Sequence, residues 1–499
     1  MYLRDSTHST LARQGRGLAR TGTHTGSPPE PRAQTTAMTA PMLLLSLHAC
    51  ATAPPLLTRR HPGGVLEVRL NRPSKLNALS SEMVDGLREA VVAAREEGAS
   101  GLLLTASGDR AFCAGGDIRQ VAAMPPQQRR DFLRREYSLM IELFALRDSV
   151  PVVALADGLI FGAGAGLFMA AETRIASALS SLAMPECALG IVPDVGATDY
   201  LRSCLEGGIG QWASLTGGRF SSDAMAAGGL CTHVCGADET ERQPGQRSLP
   251  STSDAAEAVQ ATYSSLVDCS SAAELRDTIG EGRLPERPRE RPTVRESTRE
   301  EYARLRDEIT RRLRRTIDSC GAAATAPMAA ATRAAEGGYE AAAASLVFAR
   351  ETLDSASALQ RLPARLCDAA EAAEAKGDLG LASWARDTRA ALSRASPAAL
   401  LVALECLQLP LPEEPLARRA AALGAELTAN QALGCRDEFA EGVACAVGER
   451  KGQPPRWEHA SVEEAEGDPA VQRLLDAVRR APPLDLELES ADERRSAAG

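Results

Sequence analysis

Leu102-Leu103-Leu104-Thr105, followed by Ala111-Phe112-Cys113-Ala114-Gly115-Gly116-Asp117-Ile118, decides how this 499-residue chain is read. An apolar run that opens into small residues and then into a helix-compatible segment is the pattern of a strand, a tight turn and a helix. The pattern recurs where Pro151-Val152-Val153-Ala154-Leu155-Ala156 leads into Asp157-Gly158-Leu159-Ile160-Phe161-Gly162-Ala163-Gly164-Ala165-Gly166. Glycine lets backbone N–H groups approach a ligand closely, and a helix starting there adds the positive end of its dipole. Two such turns can aim two N–H groups at one developing oxyanion. Either turn alone is equally an ordinary tight turn.

Upstream, Leu66, Val68 and Leu70 alternate with Glu67 and Arg69, which predicts a half-exposed strand. Ser80 or Ser81 is placed to cap the next helix. Its apolar face is Met83, Val84, Leu87 and Val91, and Gly98 ends it. Strand–helix alternation continues to about residue 236, so the pattern by itself gives an α/β class.

Downstream lies Met184-Pro185-Glu186-Cys187-Ala188-Leu189-Gly190-Ile191-Val192-Pro193-Asp194-Val195-Gly196. Two carboxylates stand among apolar residues and glycine with no basic residue between them. Carboxylates so placed have raised pKa values or a task, and two in different surroundings can divide acid and base roles. The plainer alternative for Glu186 is a helix cap or a surface ion pair.

Together these segments resemble the crotonase, or enoyl-CoA hydratase/isomerase, superfamily. Leu70-Asn71-Arg72-Pro73-Ser74-Lys75-Leu76-Asn77-Ala78-Leu79 is similar to its first motif block, and the likeness runs through Thr216-Gly217-Gly218-Arg219-Phe220 to about residue 236. Within it the chain is most similar to the hydrolase branch acting on 3-hydroxyisobutyryl-CoA. The features that carry this are Phe112–Arg119, Arg135-Glu136-Tyr137, the Glu186/Asp194 segment, and the closing Arg436–Val443 with Pro454-Pro455-Arg456-Trp457. The resemblance implies a crotonase fold, a spiral of repeated β-β-α units with a C-terminal helical region. It also implies hydrolysis of the 3-hydroxyisobutyryl-CoA thioester in valine breakdown, with 3-hydroxypropionyl-CoA as a second substrate. Hydratases of the superfamily use two glutamates. By motif position the first falls near Gly166 here and the second at Glu186, while their counterpart of Asp194 is glycine. A hydratase- or isomerase-type lyase and a non-catalytic CoA-binding member are the alternatives.

The roles that follow from the resemblance are these. Glu186 activates water or attacks the carbonyl. Asp194 orients water or handles the proton of the substrate hydroxyl, and Glu136 holds that hydroxyl. Ala114 and Ala163 donate N–H groups to the oxyanion. Lys75, Gly115, Gly116 and Asp117 contact the CoA part. CoA enters as part of the substrate, and neither cofactor nor metal is called for. The superfamily's second turn usually has three consecutive glycines, and Ala163 replaces the middle one. Its methyl is tolerable if φ is negative.

Other chemistry finds little support. Of six histidines, His8, His24 and His48 lie in the N-terminal tail, and His233 reads as a packed strand residue. No Ser-His-Asp set is legible. The twelve cysteines are scattered without zinc-like spacing and read as reduced thiols. Cys113 and Cys187 flank the expected site, more plausibly as packing residues than as chemistry. A net charge of -10 argues against nucleic acid, and no segment has membrane-spanning length. Homo-oligomerisation is left open.

Residues 1–55 form the first of four expected regions. The first fifty hold Arg4, Arg13, Arg16, Arg20 and Arg32 against Asp5 and Glu30, so 5 − 2 = +3 on an acidic chain. That composition reads as a transit peptide for the mitochondrial matrix or as a disordered extension, with cytoplasm and peroxisome as alternative locations. Residues 56–236 are expected to form the core, 237–296 a linker or divergent helical segment, and 297–499 a helical region completing the fold.

Overall fold

The computed structural model describes residues 53–205, 208–235, 252–269, 271, 273–275, 278, 353–375 and 379–486. Nearly all of the expected transit segment lies outside them, as does the start of the helical region expected from residue 297. Among the described residues the strands are β1 (Leu56–Arg60), β2 (Val65–Leu70), β3 (Gly101–Ala106), β4 (Ala111–Cys113), β5 (Val152–Ala156), β6 (Leu159–Phe161), β7 (Thr173–Ser177), β8 (Ser181–Ala183), β9 (Phe220–Ser221) and β10 (His233–Cys235).

They form two sheets. The larger runs β1-β2-β3-β5-β7-β10 and is parallel except for β1 against β2. The smaller runs β4-β6-β8-β9, with only β9 antiparallel. Each unit of the chain gives one strand to each sheet and then a helix: β3, β4 and Ile118–Ala123; β5, β6 and Ala163–Ala170; β7, β8 and the 3-10 turn Glu186–Leu189. This is the expected spiral of β-β-α units. Its consequence is geometric. β4, β6 and β8 are parallel neighbours, roughly 5 Å apart in a sheet, so the residues that follow them are brought side by side. Both small-residue turns therefore leave the short strands β4 and β6, not the long apolar strands that announce them in the sequence.

The first helix, Ser81–Glu96, is built as its sequence predicts. Ser80 Oγ accepts the Met83 N–H, the buried face includes Met83, Val84, Leu87 and Val91, and Gly98 follows with φ +61°. The half-exposed reading of β2 is corrected. Glu67 is only 3% exposed, because its face of the sheet is covered by the helix Thr252–Val267. The carboxylate accepts hydrogen bonds from Thr105 Oγ1 (2.8 Å), Tyr263 OH (2.8 Å) and Arg69 Nε (2.9 Å), and it lies 2.9 Å from His61 Nε2. A period-two pattern cannot distinguish a solvated acid from a buried one with four partners.

Helices Ala356–Ala375 and Leu379–Arg394 pack on each other, and Pro397–Gln408 begins at Ser396, whose Oγ accepts the Ala399 N–H. Two later helices return to the core. Pro415–Leu433 packs on Pro126–Leu146 and Ala197–Cys204, and Asp437–Ala446 packs on the 186–189 turn.

Candidate active site

The ends of β4, β6 and β8 open into one cavity of about 550 Å³. Ala114, Gly115, Gly116, Asp117, Gly162, Ala163, Glu186 and Asp194 line it, with Glu136 from the helix Pro126–Leu146 and Lys75 at its rim. All nine expected site residues thus line one cavity, drawn from five separate segments. The rest of the wall is mostly apolar and includes Phe439, Ala446 and Val447 from the C-terminal helices.

The two turns differ in what they offer. Gly162 is the residue before the helix Ala163–Ala170 and takes φ +51°. A Cβ there would come 2.8 Å from Glu186 Oε1. Ala163 is absent from the left-handed residues, so its methyl is accommodated, and its N–H, at the first position of a helix, has no acceptor among the described residues. On the first turn the expected donor is corrected. The Ala114 N–H already donates to Leu76 C=O at 3.0 Å, and the N–H groups of Gly115 and Gly116 have no backbone acceptor among the described residues. Gly115 faces the second turn, since a Cβ on it would lie 3.7 Å from Ala163 N.

Asp117 also has a structural part. Its carboxylate accepts the Gln120 N–H at 3.3 Å, capping the short helix, and pairs with Arg72 Nη2 at 2.9 Å. That leaves it holding the turn. Lys75 is exposed and free to meet an anionic group at the rim.

Three carboxyls share the cavity wall, and none is a surface group: Glu136 is 4% exposed, Glu186 6% and Asp194 6%. Glu186 neither caps a helix nor forms an ion pair, and its Oε2 has no partner, as is true of Glu136 Oε1. A Cβ on Gly116 would touch that Glu136 oxygen at 3.4 Å. Burial, and then the charge of Asp194, push both glutamates well above the ordinary carboxylate range. Burial also raises Asp194, but only to about 6, because Tyr137 and Asn430 donate to it. The three carboxyls thus compete for protons in one buried space, and Asp194 is the one whose charged form receives side-chain hydrogen bonds.

What holds Asp194 was not legible locally. Tyr137 is fully buried and does not line the cavity. Its hydroxyl donates to Asp194 Oδ2 at 2.7 Å, so it supports the acid from behind the cavity wall. From the helix Pro415–Leu433, Asn430 Nδ2 donates to the same oxygen at 2.9 Å. Glu426 accepts the N–H groups of Gly196 and Thr198, each at 2.7 Å, and Arg418 and Arg419 pair with Asp199 at 2.7 and 2.8 Å. The spacing 419, 426, 430 puts three polar residues on one stripe of an alanine- and leucine-rich helix. That stripe was the available signal. Val195, between these anchors, is a β-branched residue at φ +55°, a backbone state that persists only where its surroundings enforce it.

Gly166 lies behind this loop. A Cβ on it would stand 2.6 Å from Val195 Cβ and 3.1 Å from Met140 Sδ, so no side chain fits. Cys113 and Cys187 are buried, and burial pushes the Cys113 thiol up to about 12 and the Cys187 thiol higher still, which leaves them as packing residues.

A family model described as enoyl-CoA hydratase/isomerase matches residues 65–375. The Gallus gallus protein named "3-hydroxyisobutyryl-CoA hydrolase, mitochondrial" is 35% identical over 190 residues, 37% of this chain and 48% of that protein. The Arabidopsis thaliana "3-hydroxyisobutyryl-CoA hydrolase 1" is 38% identical over 168 residues, 33% of this chain and 44% of that protein. The chain thus spans about half the length of the curated relatives it matches. Among solved structures, an enoyl-CoA hydratase from Rhodobacter sphaeroides superposes with a TM-score of 0.56 at 26% identity, over 85% of this chain and 97% of the other.

Proposed function

The chain belongs to the enoyl-CoA hydratase/isomerase family, and from that membership we propose that it is a thioester hydrolase acting on 3-hydroxyisobutyryl-CoA, with 3-hydroxypropionyl-CoA as a second substrate. The observation that carries the reading is the packing of Gly166 against Val195 and Met140. It leaves no room for the first acid of a hydratase, while Glu186 and Asp194 both line the cavity.

The chemistry then runs as follows. The thioester oxygen accepts hydrogen bonds from the Ala163 N–H and from the free N–H groups of Gly115 and Gly116. Glu186, beside the second turn, gives its proton to the Asp194 carboxylate and becomes the base. It takes a proton from water, whose oxygen bonds to the carbonyl carbon. Collapse breaks the C–S bond, and the departing thiolate receives the proton held by Asp194. Glu186 ends protonated and Asp194 ionised, as they began, and one water has been consumed to give acid and CoA. Direct attack by the Glu186 carboxylate, through an anhydride that water then opens, uses the same residues and the same proton balance. Glu136 accepts the substrate hydroxyl with its unpartnered oxygen. Lys75 meets the CoA phosphates.

The first ionisation of the set is that of Asp194. Below about 6 the charge is lost and no base remains, so CoA release should fall as pH drops through that value. The test is free thiol released from 3-hydroxyisobutyryl-CoA as a function of pH. Hydration of an enoyl-CoA with no thiol released from any hydroxyacyl-CoA would overturn the reading.

Ala163→Gly should leave kcat within about threefold, because the N–H is unchanged, and should lower stability by roughly 1 kcal/mol through backbone entropy. A hundredfold change in kcat would mean that the methyl distorts the oxyanion site.

The reading extends to location. Residues 1–55 act as a mitochondrial transit segment, supported by their arginine-rich, acid-poor composition and by vertebrate relatives named mitochondrial. A reporter carrying them that stays in the cytosol refutes this.

A further inference from the structure

Asn430 makes a two-point contact that leaves its amide no freedom. Its Oδ1 accepts the Val192 N–H at 2.9 Å and its Nδ2 donates to Val192 C=O at 2.9 Å. That pairing fixes which end of the amide is nitrogen. The second N–H of Nδ2 is thereby aimed at Asp194 Oδ2 at 2.9 Å, with the Tyr137 oxygen also near it at 3.1 Å. Asn430 is 1% exposed. It stands 236 residues from Asp194, and beyond the segment matched by the family model.

We propose that Asn430 is a positioning residue for Asp194, acting with Tyr137: it clamps the acid's loop through the Val192 backbone and holds one carboxylate oxygen of Asp194 in place. The inference rests on the hydrolase reading only for its kinetic consequence. Every other charged or titratable group around Asp194 acts against ionisation or at longer range. Glu136 and Tyr137 face it from Pro126–Leu146, Glu186 from the 186–189 turn, Tyr200 from Ala197–Cys204, and Glu426 from Pro415–Leu433, with Arg419 beyond Gly196. No cation is hydrogen-bonded or ion-paired with Asp194 among the described residues. Tyr137 and Asn430, with Asp194's own backbone N–H, are the donors that favour its charged form.

The test compares wild type, Asn430→Ala and Tyr137→Phe in the full chain. The 13C resonance of the Asp194 carboxyl, assigned with Asp194→Asn, is titrated in parallel with kcat for thiol release. Loss of either donor should raise the Asp194 midpoint by about one to two pH units, and the acid limb of kcat should move with it. A packing role alone lowers kcat or stability evenly across pH and leaves the midpoint in place, and that result overturns the proposal. Should Asn430→Ala not fold, Asn430→Ser makes the same test with a smaller loss of packing. A wild type that releases no thiol sinks the hydrolase reading alone, because the carboxyl titration still decides the part of Asn430.

Discussion

Glu186→Gln should lower thiol release from 3-hydroxyisobutyryl-CoA by roughly 10²- to 10⁴-fold, the usual contribution of a positioned base. The amide keeps the size of the side chain and cannot take a proton from water or bond to the carbonyl carbon. The same change should stabilise the fold. Burial and the Asp194 charge raise Glu186 far above its ordinary value of 4.5, so the native state holds a proton that the unfolded chain releases. With more protons bound in the native state, stability falls as pH rises above the unfolded value. Glutamine removes that term. The variant should therefore melt higher than wild type at pH 8, with the difference closing as pH falls below 4.5, where both states are protonated. Thiol-release kinetics and thermal melts at several pH values read both effects. Undiminished hydrolysis would end the mechanism, and a lower melting temperature at pH 8 would show that Glu186 has a stabilising partner in solution.

Gly166→Glu is the converse experiment. It restores the acid of a hydratase at the position the family motif gives it. The new Cβ would sit 2.6 Å from Val195 Cβ and 2.7 Å from its Cγ2, where atoms of a backbone already at φ +55° cannot easily yield. Overpacking and a buried carboxyl together should cost at least about 3 kcal/mol. Urea unfolding measures this. No hydration of enoyl-CoA should appear in whatever folds. A stable variant that hydrates would show that the cavity accepts the hydratase acid and that Gly166 does not decide the reaction.

The parts of the site that were legible in the sequence are those where chemistry and local structure coincide. Glycine after a strand, serine before an amphipathic run and acids among apolar residues are each improbable without a reason, and β4, β6 and β8 lay them together. Ala114 was misassigned because the competing acceptor, Leu76 C=O, belongs to the motif block upstream, and no pattern of residue types shows a backbone bond between loops. The part of Asp117 in holding the turn was not legible because its partner Arg72 is 45 residues away. Glu67 looked solvated because the helix that covers it comes almost two hundred residues later. Asn430 and Glu426 were missed for the same reason, although their spacing with Arg419 marks a helix face that is not purely apolar.

The anchoring of Asp194 by a helix near the far end of the chain has a consequence for synthesis. Both turns and all three carboxyls emerge from the ribosome long before Asn430 does. At about 5–20 residues per second, the 236 residues between Asp194 and Asn430 take roughly ten to fifty seconds to make. Throughout that interval the loop around Val195 has neither its clamp on Val192 nor the Glu426 acceptor for Gly196 and Thr198. A nascent chain of that length holds every reacting group and no working centre. The assembled site therefore arrives late and at once, when Pro415–Leu433 docks.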